Sequence, residues 1–336
     1  MPSEVAIEEL GHNLLLRSPN WLGDAVMTLP AVQQLISSAS KSTRISVLAP
    51  PKLCDFWACI GSLDQVIPVD KNPFITGYQL RSHQFTSALI FPNSPRTALE
   101  PFFACIPKRY GFHGSSRKMI MTKSWSKDLP ARGLRHQMFD YLQLVKHLGA
   151  TVENNGNLPS LSKPQNPMPE HDYITICPGA EYGPTKRWKA DRFSEVSDHF
   201  AKHYNLKVVL LGAEIDEEAA HHVRRHMSDK ESILDLTGKT SMSDFVAWIA
   251  HSTFIVCNDS GAMHIAAAFQ RPGVAIFGST EPRLTGPIAN SIRVIRNHVP
   301  CSPCFLRECP LDFRCMERLY SDEVIKIAEE HFASFN

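Results

Sequence analysis

The chain has 336 residues, 43% of them hydrophobic, with 35 basic and 34 acidic side chains. This length and apolar content favour two domains with full cores and exclude a largely disordered protein. A dedicated nucleic-acid-binding protein is also disfavoured, because it would need an excess of basic residues. No uncharged apolar stretch reaches the roughly 20 residues of a membrane-spanning helix. The first ten residues lack the apolar run of a signal peptide, so we expect a cytoplasmic protein.

Predicted strands and helices alternate along the first half of the sequence. Apolar runs predict buried strands at 13–18, 44–49 and 86–91. Apolar residues at helical spacing predict a helix over 25–36, and another that passes through Leu99, Phe102 and Phe103. This alternation is typical of an α/β domain with a mainly parallel sheet.

A change of composition separates the two halves. Segment 154–170 is rich in Pro and Asn and is interpreted as a linker. The alternation then restarts, with predicted strands at 173–177, 207–211, 254–257 and 273–277 and predicted helices at 191–203, 215–227, 260–269 and 321–335. We therefore predict two Rossmann-like α/β domains, 1–160 and 161–320, followed by a C-terminal helix in 321–336. Parallel sheets bind ligands beyond the carboxyl ends of their strands, so the two edges are expected to face an interdomain cleft.

The strongest functional motif joins a predicted strand to a predicted helix. Asp259, Ser260 and Gly261 stand at this junction, and His264 follows within one turn. Gly261 permits close backbone approach, and a helix N-terminus offers N–H groups to an anion. Helix capping by Asp259 or Ser260 is the alternative. We favour a site for the pyrophosphate and sugar of a nucleotide sugar, because capping does not explain Asp, Gly and His together.

A second candidate site is the Gly/Pro-rich loop over 177–188, which contains Gly179, Glu181 and Lys186. A lysine that faces a helix terminus would neutralise a diphosphate leaving group, whereas a solvated surface loop is the alternative. Neither a GxGxxG motif nor a P-loop follows a strand, which disfavours the usual dinucleotide and NTPase interpretations.

Asp24 follows the first predicted strand at the start of a helix. A carboxylate there could act as general base on an acceptor hydroxyl, or could simply interact with the helix dipole. Spacing alone does not decide between these two roles.

A basic stretch over 108–136 includes Lys108, Arg109, Arg117 and Arg135 and is nearly free of acidic residues. The local excess of cations indicates an anionic acceptor or a negatively charged membrane surface. A solvated loop face is the alternative.

Four cysteines, Cys301, Cys304, Cys309 and Cys315, stand within one short segment. They could form a structural tetrathiolate zinc site, remain free thiols, or form bridges on oxidation. The spacing between pairs is shorter than in common zinc ribbons. We do not expect a catalytic metal.

Three motifs, at 17–24, 177–188 and 258–264, resemble those of the lipopolysaccharide heptosyltransferases of glycosyltransferase family 9, closest to the heptosyltransferase II type. The resemblance extends over nearly the whole chain. It implies a GT-B fold with an acceptor-binding domain first and a donor-binding domain second. It also implies inverting transfer from ADP-L-glycero-β-D-manno-heptose to heptosyl-Kdo2-lipid A at the cytoplasmic face of the inner membrane.

The resemblance also implies roles for individual residues. Asp24 would be the base, and Lys186 would lie near the donor phosphates. Glu217 or Asp216 would contact the adenosine ribose. The remaining donor-binding residues would be Gly179, Glu181, Asp259, Ser260, Gly261 and His264. The residues expected to bind the acceptor are Asn20 and Trp21, in the first of the three motifs, and the cations Lys108, Arg109, Arg117 and Arg135 of the basic stretch.

No cofactor is expected to be required, since Lys186 and helix N–H groups can stabilise departing ADP. We expect a monomer with no nucleic-acid partner and with peripheral contact to the membrane surface. The alternatives are a heptosyltransferase I type or another family 9 enzyme, a sugar-nucleotide epimerase of the same architecture, and an inactive binding relative.

Overall fold

A computed structural model describes residues 5–114, 116–128, 134–152, 158–159, 161–164 and 171–335 of the chain. The chain divides into two compact units, Met1–Ser162 and Lys163–Asn336. Among the described residues, none of the helices combines the length and the apolar character needed to cross a bilayer.

The first unit is built on a six-stranded parallel sheet in the order β3-β2-β1-β4-β5-β6. Its strands are β1 Asn13–Arg17, β2 Arg44–Ala49, β3 Val66–Pro68, β4 Ser87–Ile90, β5 Lys108–Phe112 and β6 Lys123–Trp125. Its helices are α1 Leu22–Met27, α2 Leu29–Ser38, α3 Cys54–Ala58, α4 Pro73–Leu80, α5 Pro95–Phe103 and α6 Met138–His147.

The second unit repeats this plan with the strand order β12-β11-β10-β7-β8-β9, again all parallel. Its strands are β7 Tyr173–Cys177, β8 Lys207–Leu210, β9 Ile233–Asp235, β10 Phe254–Asn258, β11 Gly273–Phe277 and β12 Ile292–Arg296. Its helices are α7 Ala190–Tyr204, α8 Glu217–His226, α9 Met242–His251, α10 Gly261–Ala268, α11 Pro282–Thr285, α12 Arg314–Glu317 and α13 Ser321–Ala333. The terminal helix α13 packs against α7 and β11 and contributes Val324, Ala328 and Phe332 to the core of this unit.

The central strands explain why these runs of sequence are apolar without alternation. Every residue of β1, β7, β10 and β11 is buried, as expected for strands covered on both faces. In each sheet the first strand in sequence lies between two neighbours whose connections run in opposite directions, β2 and β4 beside β1, and β8 and β10 beside β7. The carboxyl edge at such a switch point is where open α/β sheets bind ligands.

The predicted α/β class with two Rossmann-like parallel sheets is confirmed, with some local differences. The helix predicted over 25–36 is two helices, because α1 ends at Met27 and α2 begins with Pro30 in its first turn, where the missing N–H costs nothing. Residues 108–112 of the basic stretch, for which a solvated loop face was the alternative, form β5, since Tyr110, Gly111 and Phe112 are buried. The predicted linker 154–170 lies mostly outside the described residues.

Candidate active site

In the second unit, two loops begin side by side at the carboxyl edge of the sheet. Strands β7 and β10 are neighbours, with Cys177 paired to Cys257, so the residues that follow them emerge together. Asn258 joins the two loops. Its Oδ1 accepts a hydrogen bond from the Trp188 backbone N–H at 3.0 Å, and its Nδ2 donates to the Pro178 carbonyl at 2.7 Å. This buried amide holds the loop of Lys186 against the start of α10.

Asp259 is held by a cation and a hydroxyl. Lys186 Nζ lies 2.6 Å from Asp259 Oδ2, and the Thr280 hydroxyl donates to the same oxygen. Both members of the ion pair are largely buried. Ser260 occupies the N-cap position of α10 but, within the described residues, its side chain makes no capping hydrogen bond. Capping therefore does not account for these side chains, and the edge carries a buried ammonium beside a helix N-terminus, which suits an anion.

Gly179 is required by a close neighbour. A Cβ at this position would lie 2.0 Å from Cγ of Asp216, so no other residue fits without a shift of the loop. Asp216 is buried, its Oδ2 accepts from the Ala213 backbone N–H at 3.1 Å, and Arg187 Nη2 lies 3.6 Å from its Oδ1. Desolvation raises the pKa of the Asp216 carboxyl, although the Ala213 N–H and Arg187 oppose that shift.

Glu217, one residue further on, has a different environment. It is exposed in the first turn of α8, and a Cβ on Gly238 would lie 2.6 Å from its Oε1. Asp216 is therefore the carboxylate that packs beside the loop of Gly179. The sequence marked both residues and did not separate them.

The segment that bears the last four cysteines supports the same loop. Tyr182 lies between two cations, with Lys186 Nζ 4.8 Å and Arg307 Cζ 5.2 Å from its ring centroid. The Tyr182 hydroxyl donates to the Phe305 carbonyl at 2.7 Å, and the Thr185 hydroxyl donates to the Leu306 carbonyl at 2.6 Å. Glu181, one residue before Tyr182, is exposed, and His264 is buried in α10.

The expectation of a structural zinc site is not supported. Among the described residues no group of His, Cys, Asp or Glu side chains is arranged to hold a metal ion, and Cys301, Cys304, Cys309 and Cys315 are all free thiols. Cys301 and Cys304 are exposed, whereas Cys315 is packed in the core. Burial raises the pKa of the Cys315 thiol, which disfavours the thiolate that a metal would need.

In the first unit, Asp24 lies in the first turn of α1, just after the carboxyl end of β1. Gln137 Nε2 is 3.2 Å from Asp24 Oδ1 and 2.7 Å from the Tyr141 hydroxyl. Burial, reinforced by the nearby charge of Asp24, raises the pKa of Tyr141, so the phenol stays protonated. Asp24 thus contacts a neutral amide in a partly buried setting.

The loop between β1 and α1 is fixed by a buried ion pair. Arg17 Nε lies 2.5 Å from Glu100 Oε2, and Arg17 Nη2 is 3.2 Å from Asn20 Oδ1. Trp21 is half exposed, with Lys52 Nζ 5.0 Å from its ring centroid. Asn20 and Trp21 lie on the loop that leads into α1, the helix that carries Asp24.

Three of the predicted acceptor-binding cations are not placed for that role. Lys108 and Arg109 begin β5, and Lys108 pairs with Ser87, which in turn pairs with Leu14 near the start of β1. Both therefore lie at the amino edge of the sheet, whereas Asp24 follows its carboxyl edge.

Arg117 is fully buried, and its guanidinium donates to the carbonyls of Pro92 and Phe112. Burial lowers its pKa to about 10. Arg117 is a structural residue, because its guanidinium N–H groups donate to backbone carbonyls in the interior. Arg135, in contrast, precedes Gln137 by two residues and pairs with Asp140.

Sequence reasoning missed Thr280 and Gln137. Thr280 follows the apolar strand β11, the same transition that marked the other loops, so a signal existed. Gln137 is 113 residues from Asp24 in sequence, and nothing local indicated the contact.

Residues 76–313 match the family model described as glycosyltransferase family 9 (heptosyltransferase). The chain belongs to this family. It is 31% identical to lipooligosaccharide heptosyltransferase 2 of Haemophilus influenzae over 308 residues. The aligned region covers 84% of this chain and 88% of that protein. It is 29% identical over 309 residues to lipopolysaccharide heptosyltransferase 2 of Escherichia coli, with 84% and 87% covered.

The fold of this family 9 chain is also that of a solved relative. The structure of E. coli ADP-heptose LPS heptosyltransferase II matches it with a TM-score of 0.81 and 25% identity, over 96% of this chain and 99% of that one. The predicted resemblance and the GT-B class are confirmed, and the protein is a glycosyltransferase.

Proposed function

We propose that this enzyme transfers heptose from ADP-L-glycero-β-D-manno-heptose to heptosyl-Kdo2-lipid A, with inversion at the anomeric carbon. The observation that carries the proposal is the buried Lys186–Asp259 pair at the start of α10, beside the loop of Gly179. The second unit would bind the donor and the first the acceptor. The relatives are named for this class of reaction, which favours transfer over an epimerase or an inactive binding protein.

The donor half follows from the charges at the carboxyl edge of the second sheet. A diphosphate that enters beside α10 would share the Lys186 ammonium with Asp259 and accept hydrogen bonds from the first N–H groups of the helix. Both interactions strengthen as negative charge develops on departing ADP. Asp216 would accept hydrogen bonds from ribose hydroxyls, while Glu181, Ser260, Gly261 and His264 would border the sugar.

The acceptor half centres on Asp24. As the acceptor oxygen bonds to the anomeric carbon, the bond from that carbon to the ADP oxygen breaks, and Asp24 takes the hydroxyl proton. Gln137 donates a hydrogen bond to the Asp24 carboxylate and would help to orient it. Asn20, Trp21 and Arg135 remain the proposed acceptor contacts in the first unit.

The proposed setting is the cytoplasm, with a monomeric enzyme at the inner face of the inner membrane. The test is a product assay with purified protein, ADP-heptose, and Kdo2-lipid A that carries either no heptose or one. Transfer to the monoheptosylated acceptor alone is the expected result. Transfer to the heptose-free acceptor alone would indicate a heptosyltransferase I type, and release of free sugar without transfer would contradict the proposal.

A further inference from the structure

Helices α4 and α5 of the first unit pack together and expose a row of large apolar side chains. Phe74, Ile75, Tyr78 and Phe102 are 60%, 45%, 75% and 39% exposed. Isolated apolar residues on a surface need no explanation, but a contiguous group does. We call these four side chains, together with Lys71, Arg81, Arg96 and Arg109, the α4–α5 surface.

Ring contacts through Phe103 connect Phe74 on α4 to Phe102 on α5. The Phe74 ring stacks on Phe103 with centroids 3.8 Å apart, and Phe103 meets Phe102 edge-on at 5.6 Å. Tyr78 follows Phe74 by four residues and Ile75 by three, so all three share one side of α4. The two helices approach closely because Gly77 leaves room for Phe103, whose Cβ would be 2.4 Å from a Cβ at Gly77.

Cations surround this apolar group. Arg81 lies 6.0 Å from the Tyr78 ring centroid, Arg109 lies 5.4 Å from that of Phe102, and Arg96 donates to the Lys71 carbonyl. Lys71, Arg81 and Arg96 are exposed. Guanidinium groups that lie over aromatic rings keep their charge at the margin of the apolar surface.

Carboxylates are nearly absent from this part of the chain. From Lys71 through Lys127, both included, the sequence contains nine Lys or Arg residues and a single acid, Glu100. Glu100 is buried in its ion pair with Arg17. Asp70 precedes α4, and its carboxylate accepts the Asn72 backbone N–H at 2.7 Å. In a chain of 35 basic and 34 acidic residues, this is a local field of one sign.

We propose that the α4–α5 surface docks the enzyme on an anionic lipid bilayer. Aromatic and aliphatic side chains would enter the headgroup region, while the surrounding Lys and Arg meet lipid phosphates. A second copy of the chain fits this surface less well, because a two-fold contact would bring the cations of both copies together. The identity of the membrane rests on the proposed function. The docking surface itself is inferred from the exposed side chains and does not depend on that function.

The first experiment measures co-sedimentation of the full-length protein with vesicles of phosphatidylcholine, with and without phosphatidylglycerol. The double variant Ile75→Ser/Tyr78→Ser should bind anionic vesicles at least about tenfold more weakly, since each substitution removes an exposed apolar group. Leu311→Ser/Tyr320→Ser is the matched control, because both residues are comparably exposed, at 58% and 59%, in the second unit. The control pair should bind as wild type does.

The second experiment reverses charge without touching the aromatic residues. Lys71→Glu/Arg96→Glu should lower binding to anionic vesicles by more than about tenfold, at roughly 1 kcal/mol per cation near the membrane. Arg224→Glu/Arg225→Glu, in the last turn of α8, is the matched control and should have little effect. Wild-type binding should also weaken with added salt.

The outcomes separate this inference from the proposed function. Folding of each variant is checked by its thermal transition, and turnover is measured on a water-soluble heptosyl-Kdo acceptor without acyl chains. Variants that keep normal turnover and lose vesicle binding support the α4–α5 surface. If the wild type shows no transferase activity, the proposed function fails, but a loss of vesicle binding in the variants still supports the surface. Equal vesicle binding by the wild type and both α4–α5 surface variants would overturn the inference. A dimer that forms without lipid and is dissociated by Ile75→Ser/Tyr78→Ser would also overturn it.

Discussion

Asp24 and Asp259 lie beyond the carboxyl edges of two similar sheets, after strands that are not equivalent, and their partners differ. Each follows the carboxyl end of a central parallel strand, β1 or β10, near the start of a helix. Asp259 is bound by the Lys186 ammonium and the Thr280 hydroxyl, whereas Asp24 contacts the Gln137 amide. Sheets of the same topology therefore surround their edge carboxylates differently, which suits the proposed anion site in the second unit and the proposed base in the first.

The largest expected effect comes from removing the proposed base. Asp24→Asn should lower kcat by roughly two or more orders of magnitude and leave the affinity for ADP near that of wild type. The measurement pairs steady-state kinetics with calorimetric ADP titration. Asp55→Asn, an exposed acid in the first turn of α3, is the matched control. If turnover survives in Asp24→Asn, the residue only stabilises its helix.

Removing the cation of the second site should act on binding. Lys186→Ala should weaken ADP by about 30-fold, the loss expected for a charge-assisted hydrogen bond of about 2 kcal/mol. Lys189→Ala offers a close comparison, since Lys189 Nζ lies 2.6 Å from Glu317 Oε2 in an exposed ion pair. Such surface pairs contribute little. Equal ADP affinity in the two variants would move the phosphate site elsewhere.

Asp216 is expected to show a smaller effect, together with a gain in stability. Asp216→Asn should weaken ADP by about tenfold, because the amide accepts fewer hydrogen bonds from ribose hydroxyls. Glu217→Gln is the control and should leave ADP affinity unchanged. The reverse pattern would assign the ribose contact to Glu217.

The stability of Asp216→Asn should also depend on pH in a defined direction. Burial raises the folded-state pKa of Asp216, so its protonated form is favoured by folding. That contribution is complete below the unfolded pKa, about 3.9, and is lost as pH rises through the folded value. The variant should therefore melt at a higher temperature than wild type at pH 7, with the gap closing below about pH 4. A lower melting temperature at pH 7 would contradict this account.

The smallest effect is expected from substitution of Gln137, whose amide donates to Asp24. Gln137→Ala should lower kcat by about fivefold, the loss of about 1 kcal/mol of orientation, with KM for the donor unchanged. Gln33→Ala is the comparison, since Gln33 donates to Ser37 within its own helix, α2. A hundredfold loss in Gln137→Ala would mean that the amide does more than orient the base.

The sequence alone determined the α/β class and the motifs around Asp24, Lys186 and Asp259. Buried parallel strands must be apolar runs, and the residues that leave their carboxyl ends stand out because they are polar or glycine. It also marked the chain as a family 9 enzyme. The class and the motifs are local features that composition and spacing reveal, whereas the family was identified by the resemblance of those motifs to known ones.

Tertiary structure decided which marked side chains have the right surroundings. Lys108, Arg109 and Arg117 have the charge of an acceptor site, but strand register puts the first two at the opposite sheet edge and burial encloses the third. Asp216 and Glu217 are adjacent acids, and the fold buries the first and exposes the second. The contact of Gln137 with Asp24 spans 113 residues. Such long-range pairings depend on how elements pack, which no local pattern of residues records.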